Sequence, residues 1–179
     1  MPAKTKSTRT ARRASSSRRA NALSILTADH ERVMQLFERF EKAQRDEQKV
    51  RLASEICSEL TAHAQLEEEI FYPAVREAIG EEDLMDEAEV EHASAKELIA
   101  QIESGSVKDD RWEAKVTVLG EYIRHHVKEE QGEMFKKVRA SELDLEALGE
   151  QLQARKGKLA SKQAAPGERL AGLVRRALR

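Results

Sequence analysis

Six side chains in this sequence pair the chemistry of metal coordination with spacings that a helix can use. His63 and Glu67 are four residues apart, one turn apart on the same helical face. That face is apolar: Ala53, Ile56, Leu60, His63, Glu67, Ile70 and Ala74 recur at intervals of three and four. A histidine and a glutamate inside such a seam cost stability unless something satisfies them. The pair returns about 63 residues later as His126 and Glu130, on the stripe Trp112, Val116, Leu119, Ile123, His126, Glu130, Met134, Val138. His30 lies on a stripe with Leu26, Val33, Phe37 and Phe40. His92 lies on another with Met85, Ala88, Ala95, Ile99 and Ile102. Neutral imidazole and carboxylate suit iron, manganese and zinc. Two carboxylates can each bridge two ions, and four histidines then give each ion two nitrogens. An oxo, hydroxo or water bridge would add a fifth ligand and leave a position per ion for O2, peroxide or nitric oxide. Structural zinc closes four ligands, so this donor count favours a reactive pair of non-haem irons.

The elements that must position these residues follow from the same stripes. A first helix starts between Ala22 and Ala28, with Ser24 or Thr27 as cap. The polar break Gln44-Arg45-Asp46-Glu47 turns the chain into a second helix that runs to about Ile79. Gly80 stops it, and Pro73 should kink it just past the His/Glu pair. Glu81-Glu82-Asp83 open a third helix, which Gly105 ends, and Asp109-Asp110 begin a fourth that reaches about Ala140. Four long helices with short turns predict an all-α, up-down-up-down four-helix bundle. His30 and His63 each lie about 16 residues from the first turn, or roughly 24 Å along the axis, so they are level. His92 and His126 are placed likewise about the third turn. The His-to-His intervals of 33 and 34 residues make the two hairpins equivalent. This predicts a pseudo-two-fold site for two metals, with His30, His63, Glu67, His92, His126 and Glu130 in one interior layer. On the last helix His126, not its neighbour His125, continues the seam. His125 pairs with Glu129 on the flank beside Tyr122.

Ser141-Glu142-Leu143-Asp144 reads as a cap for a fifth helix with Leu145, Leu148 and Leu152 on its apolar side. Pro166-Gly167 breaks it. Glu168 to Arg179 reads as a short basic amphipathic helix that could pack on the bundle, pair with a second chain in a homodimer or touch an anionic surface, the first two being favoured. The domain reading is a tail over 1–20, the bundle over 21–140 and a helical extension over 141–179.

Composition agrees with helices: 36% of residues are charged and 4% aromatic. No run of 18 apolar residues exists, which excludes a membrane-spanning helix, and no secretory signal is present. A cytoplasmic protein is expected. The single Cys57 excludes an intrachain disulfide and reads as a core thiol. Net charge of −2 hides an asymmetry: residues 1–20 carry seven basic side chains and no acid, residues 151–179 carry eight and one, and residues 21–150 carry 16 and 32. The Ser/Thr/Ala/Arg-rich tail 1–20 is expected to be disordered. It reads as a solubilising tail, a contact for nucleic acid or another polyanion, or a transit peptide of similar composition.

The motifs also carry a family resemblance. Asp29-His30-Glu31, His63-x-x-x-Glu67-Glu68-Glu69-x-Phe71-Tyr72-Pro73, Glu91-His92 and His125-His126-x-x-x-Glu130 resemble the hemerythrin-like, HHE cation-binding family over about 24–140. The resemblance implies a four-helix bundle holding two non-haem iron ions joined by an oxo or hydroxo bridge. At matching positions it implies His30, His63, Glu67, His92, His126 and Glu130 as ligands. Oxygen-carrying hemerythrins offer a second histidine where this chain has Lys96, and an aspartate on the last helix where it has His126 and Glu130. The pattern is closer to hemerythrin-like proteins linked to iron, oxygen or nitric-oxide sensing and peroxide handling. Ferritin-like enzymes use Glu-x-x-His on two helices, and only Glu89-x-x-His92 fits that spacing here. The expected function is binding of O2, NO or peroxide for sensing, storage or detoxification. The alternatives are a peroxide-decomposing di-iron enzyme and a metal-free structural or nucleic-acid-associated bundle. Tyr122, one turn before His126, is a candidate hydrogen-bond partner of the site. Asp29, Glu91 and Glu129 read as solvated acids.

Overall fold

The structure, a computed structural model, describes residues 20–163. The basic tail, Pro166-Gly167 and the segment Glu168 to Arg179 lie outside these residues. Four helical columns form the bundle. The first is α1 (Ala22–Lys42). The second is α2 (Asp46–Leu66), a π-helical turn Glu67–Phe71 and α3 (Tyr72–Ile79). The third is α4 (Glu82–Ser104). The fourth is α5 (Trp112–Glu129), a second π-helical turn Glu130–Met134 and α6 (Phe135–Ala140). Neighbours in sequence pair as hairpins, α1 with α2 and α4 with α5, and the ring closes through α1 with α5 and α2 with α4. A fifth helix, α7 (Leu145–Gln163), packs along α1 and α2.

The local chemistry of the helix ends explains the boundaries. Asn21 caps α1, its side-chain Oδ1 accepting from the Ser24 backbone N–H at 2.9 Å. Ser24 and Thr27, the expected caps, fall inside the helix because Asn21 already supplies the acceptor. Gly80 ends the second column with φ at 64°, the left-handed region that glycine enters without steric cost. The fourth column starts at Trp112, slightly later than the aspartates suggested, because the Trp112 indole N–H reaches back to the Ile102 carbonyl at 3.0 Å and fixes the turn. Asp144 caps α7 by accepting from Glu146 and Ala147 N–H.

The apolar interior is split in two. One cluster, with Phe37, Phe40, Ile56, Leu60, Ile99, Trp112 and Leu119, fills the end near the α1–α2 and α4–α5 turns. The other, with Leu26, Phe71, Tyr72, Met85, Phe135 and Leu152, fills the opposite end and reaches under α7. Between them lies a polar layer of His30, His63, Glu67, His92, His126 and Glu130, all buried.

The two π turns place this layer. Each begins at the glutamate of a His-x-x-x-Glu pair. A π turn holds one residue more than an α turn, so beyond Glu67 the buried stripe moves on by one. Phe71 and Val75 are buried where the regular period pointed to Ile70 and Ala74. The irregularity thus starts at Glu67, and Pro73 follows in the first turn of α3, where its missing N–H is harmless.

Candidate metal centre

The histidines meet tip to tip. His30 and His63 bring their Nε2 atoms to 2.8 Å, and His92 and His126 bring theirs to 3.3 Å. Two nitrogens bound at right angles to one ion, each at about 2.1 Å, stand about 3 Å apart, so both pairs have the spacing of ligands to a common ion. Glu67 lies between the pairs. Its Oε1 is 3.0 Å from His63 Nε2 and 3.9 Å from His30 Nε2, and its Oε2 is 3.4 Å from His92 Nε2. Two groups in this layer able to hold a cation, His30/His63/Glu67 and Glu67/His92/His126, therefore share one carboxylate. Glu130 joins from the fourth column, with Oε2 at 3.3 Å from His30 Nε2.

Satisfaction of polar groups gives a test of fit. Among the described residues, the buried side-chain atoms lacking a hydrogen-bond partner are His63 Nδ1 and both carboxylate oxygens of Glu67 and of Glu130. Every one belongs to this layer. Buried polar atoms are nearly always paired, and a fully buried carboxylate is costly without a counter-charge. Cations between the histidine pairs would satisfy the carboxylate oxygens, so the donor set fits a metal centre.

Without a cation, charge settles unevenly. Burial and the neighbouring His63 push His30 down to about 3, which keeps its ring neutral. Burial acts against His63 as well, but Glu67 and Asp29 outweigh it and hold its pKa up at about 10. Glu67, although buried, is held well below the usual carboxylate range by His63. Burial and the charge of Glu67 push Glu130 well above that range. The metal-free layer thus favours charge on Glu67 and His63 and disfavours it on His30 and Glu130.

A ring of outer partners orients the imidazoles. His126 Nδ1 donates to Glu91 at 2.7 Å, and His92 Nδ1 donates to Glu68 at 2.9 Å. The Gln131 amide meets His30 Nδ1 at 2.8 Å, and Asp29 Oδ2 lies 3.8 Å from His63 Nδ1. Asp29 is itself buried and paired with Lys156 of α7. These contacts obey the repeat. The acid before the first histidine of each hairpin, Asp29 or Glu91, faces the second histidine of that hairpin. The residue after each glutamate serves the first histidine of the other hairpin. Asp29 and Glu91 are therefore not solvated acids, and the signal for them was their equivalent places before His30 and His92. Tyr122 is 48% exposed and turned away from the layer. The tyrosine that reaches it is Tyr72, whose hydroxyl donates to His92 Nε2 at 3.1 Å. At the equivalent place in the second hairpin stands Phe135. His125 is exposed and pairs with Glu129 at 3.2 Å, while His126 is buried.

The model of the hemerythrin HHE cation-binding domain matches residues 21–138. The chain belongs to the hemerythrin HHE cation-binding family. Among curated proteins it is similar to a DNA nickase of Nostoc sp., at 32% identity over 120 residues. That match takes in 66% of this chain and 34% of the relative, so the chain spans about a third of the nickase's length. Among solved structures it is similar to a hemerythrin HHE cation binding domain-containing protein from Mycobacterium kansasii. The TM-score is 0.69 and the identity 24%, over 87% of this chain and 98% of the other. That likeness extends the hemerythrin-like fold beyond the bundle. No helix among the described residues is long and apolar enough to cross a membrane.

Proposed function

We propose that this hemerythrin-family protein binds two non-haem irons through His30, His63, Glu67, His92, His126 and Glu130, and takes O2, nitric oxide or peroxide for sensing, storage or detoxification. The observation that carries the reading is the shared carboxylate, Glu67, with a histidine pair on each side. Four imidazoles and two carboxylates leave two ions short of full coordination, unlike a closed structural zinc site. Iron held there would supply one-electron chemistry and a Lewis-acidic position for a small oxygen or nitrogen ligand.

The chain's own residues set what can approach. A cavity of about 30 Å³ touches all four histidines and is walled by Val33, Leu60, Ala95, Ile99 and Ile123. Its size suits a molecule of two or three heavy atoms, and its aliphatic walls favour a weakly hydrated one. Tyr72 holds a proton at its hydroxyl, because burial and then the charge of Glu67 push its pKa well up. That proton stands at one end of the layer only.

Anaerobic reconstitution with ferrous iron tests the reading. Two irons per chain and a near-ultraviolet ferric band on exposure to air are expected. One tightly held zinc with no iron uptake would sink it. Oxygen release from added peroxide by the iron form would instead select the alternative, a peroxide-decomposing di-iron enzyme. A second reading, contact with nucleic acid, rests on the basic ends of the sequence and on the nickase relative. Removal of residues 1–20 should then weaken DNA retention at low salt and leave iron uptake intact, since none of the six residues lies there.

A further inference from the structure

We propose that Glu91, His125 and Glu129 form a surface cation-docking site that loads the buried centre through a cleft beside α4 and α5. This rests on reading the buried layer as a cation centre. The three side chains bring ligand atoms within 4.8 Å of one another. His125 Nε2 lies 3.2 Å from Glu129 Oε1 and 3.9 Å from Glu91 Oε1. The other oxygen of Glu91 accepts from His126 Nδ1 at 2.7 Å, so one carboxylate touches both the surface trio and the inner layer.

The second observation is the cleft itself. Glu87, Glu91 and Glu129 line it together with His126 and Glu130. Glu130 is 2% exposed, and neither of its oxygens has a hydrogen-bond partner. Side-chain exposure falls stepwise along this path, from 62% at His125 to 41% at Glu129, 18% at Glu91 and 1% at Glu130. A hydrated dication loses its waters reluctantly when all must leave at once. A graded series of oxygen and nitrogen donors exchanges them one at a time.

The pseudo-two-fold repeat supplies the comparison. The places equivalent to His125 and Glu129 are Ala62 and Leu66. Leu66 is buried in the apolar cluster that continues into α7, with Ala62 packed against it. The acid equivalent to Glu91 is Asp29, which Lys156 of α7 occupies. One flank of the layer is thus sealed by an apolar helix and a lysine, while the other carries a graded set of donors. Loading through one flank explains why an otherwise repeated site breaks its repeat at these positions.

Stopped-flow mixing of the metal-free full chain with Co2+ tests this, because visible cobalt bands report entry into the buried donor set. The wild-type rate should saturate with Co2+ concentration, as docking before entry requires. His125→Ala/Glu129→Gln should lose saturation and slow at least fivefold, yet reach the same two ions per chain. Glu97→Gln removes one exposed acid of α4 outside the cleft and should leave the rate within twofold. If the double variant fails to fold, the single change His125→Gln gives the same reading at an exposed side chain. Equal rates for wild type and variant would overturn the docking site alone. Equal slowing by Glu97→Gln would assign the effect to general surface charge and also overturn it. No cobalt uptake by the wild type would overturn the buried centre and the route together.

Discussion

Glu67 is fully buried, makes no hydrogen bond through either oxygen and faces a histidine pair on each side. Such a residue makes sense only with its partners, so substitutions around it should be read in cations held. His126→Ala removes a buried imidazole that faces His92 and should lose one or both ions. His125→Ala removes an exposed ring and should keep both at equilibrium, by metal analysis after dialysis. The reverse pattern would mean that α5 is rotated, with Glu129 in place of Glu130. The outer partners are next. Glu68→Ala strips the acceptor from His92 Nδ1 and should weaken cation binding by roughly 10–100-fold in chelator competition. Glu68→Gln keeps an acceptor oxygen for that N–H and should lose well under half of that effect on a logarithmic scale. The six central residues were legible because a polar residue on an apolar stripe is rare and conspicuous. Glu68 and Glu91 were not, because 33 of the 179 residues are acids and nothing local marks two of them as turned inward. Tyr72 was hidden by the π turn, which rotates it onto the layer.

The four columns, their order and their levels could be read from the period of the apolar residues together with the places of the turns. The π turns could not, since their signature is a one-residue slip that a short stripe absorbs without visible conflict. They matter because each leaves two successive large residues buried just beyond its glutamate, Phe71 with Tyr72 and Met134 with Phe135. These close the layer from one end. The fifth helix was foreseen, but its grip on α1 was not. Gly149 lets α7 cross the start of α1: a Cβ there would stand 2.6 Å from the Ala20 carbonyl oxygen and 3.0 Å from the Ala22 nitrogen. These are backbone atoms that cannot swing aside. Gly149→Ala gains up to about 1 kcal/mol of helix propensity, but the clash should cost about 1–3 kcal/mol. The net change should lower Tm by a few degrees. Gly157, on the same helix, has no atom within 4 Å of such a Cβ. Gly157→Ala should therefore raise Tm, by up to about 1 kcal/mol of stability. Thermal unfolding by circular dichroism distinguishes the two, and equal signs would refute the crossing geometry.

At the scale of the whole molecule, the buried layer makes stability depend on pH in a way that a bound cation should reverse. In the metal-free protein His30 titrates near 3, below its ordinary 6.5. The unfolded chain then binds more protons between these values, so stability falls as pH drops from 6.5 toward 3. Glu67, also depressed, adds to the acid-side loss. His63 titrates near 10 when folded. The folded chain binds the extra proton, and that contribution is lost as pH rises from 6.5 toward 10. Glu130, raised by burial and by Glu67, also loses stability with rising pH once the unfolded carboxylate has ionised. The metal-free protein should therefore be most stable between about pH 4.5 and 6.5, where the opposing contributions of His30 and Glu130 offset each other, and decline on both sides. A cation needs neutral imidazoles and ionised carboxylates, so it removes the proton that His63 and Glu130 otherwise hold. The alkaline decline should vanish, and the stability maximum should move above pH 7. At a thousandfold excess over its dissociation constant, one ion adds about 4 kcal/mol, or roughly 10 °C in Tm for a chain of this size. Melting curves from pH 4 to 9, with and without Fe2+ under argon, measure both effects. Parallel curves, or a cation that stabilises most in acid, would show that the six residues do not bind it.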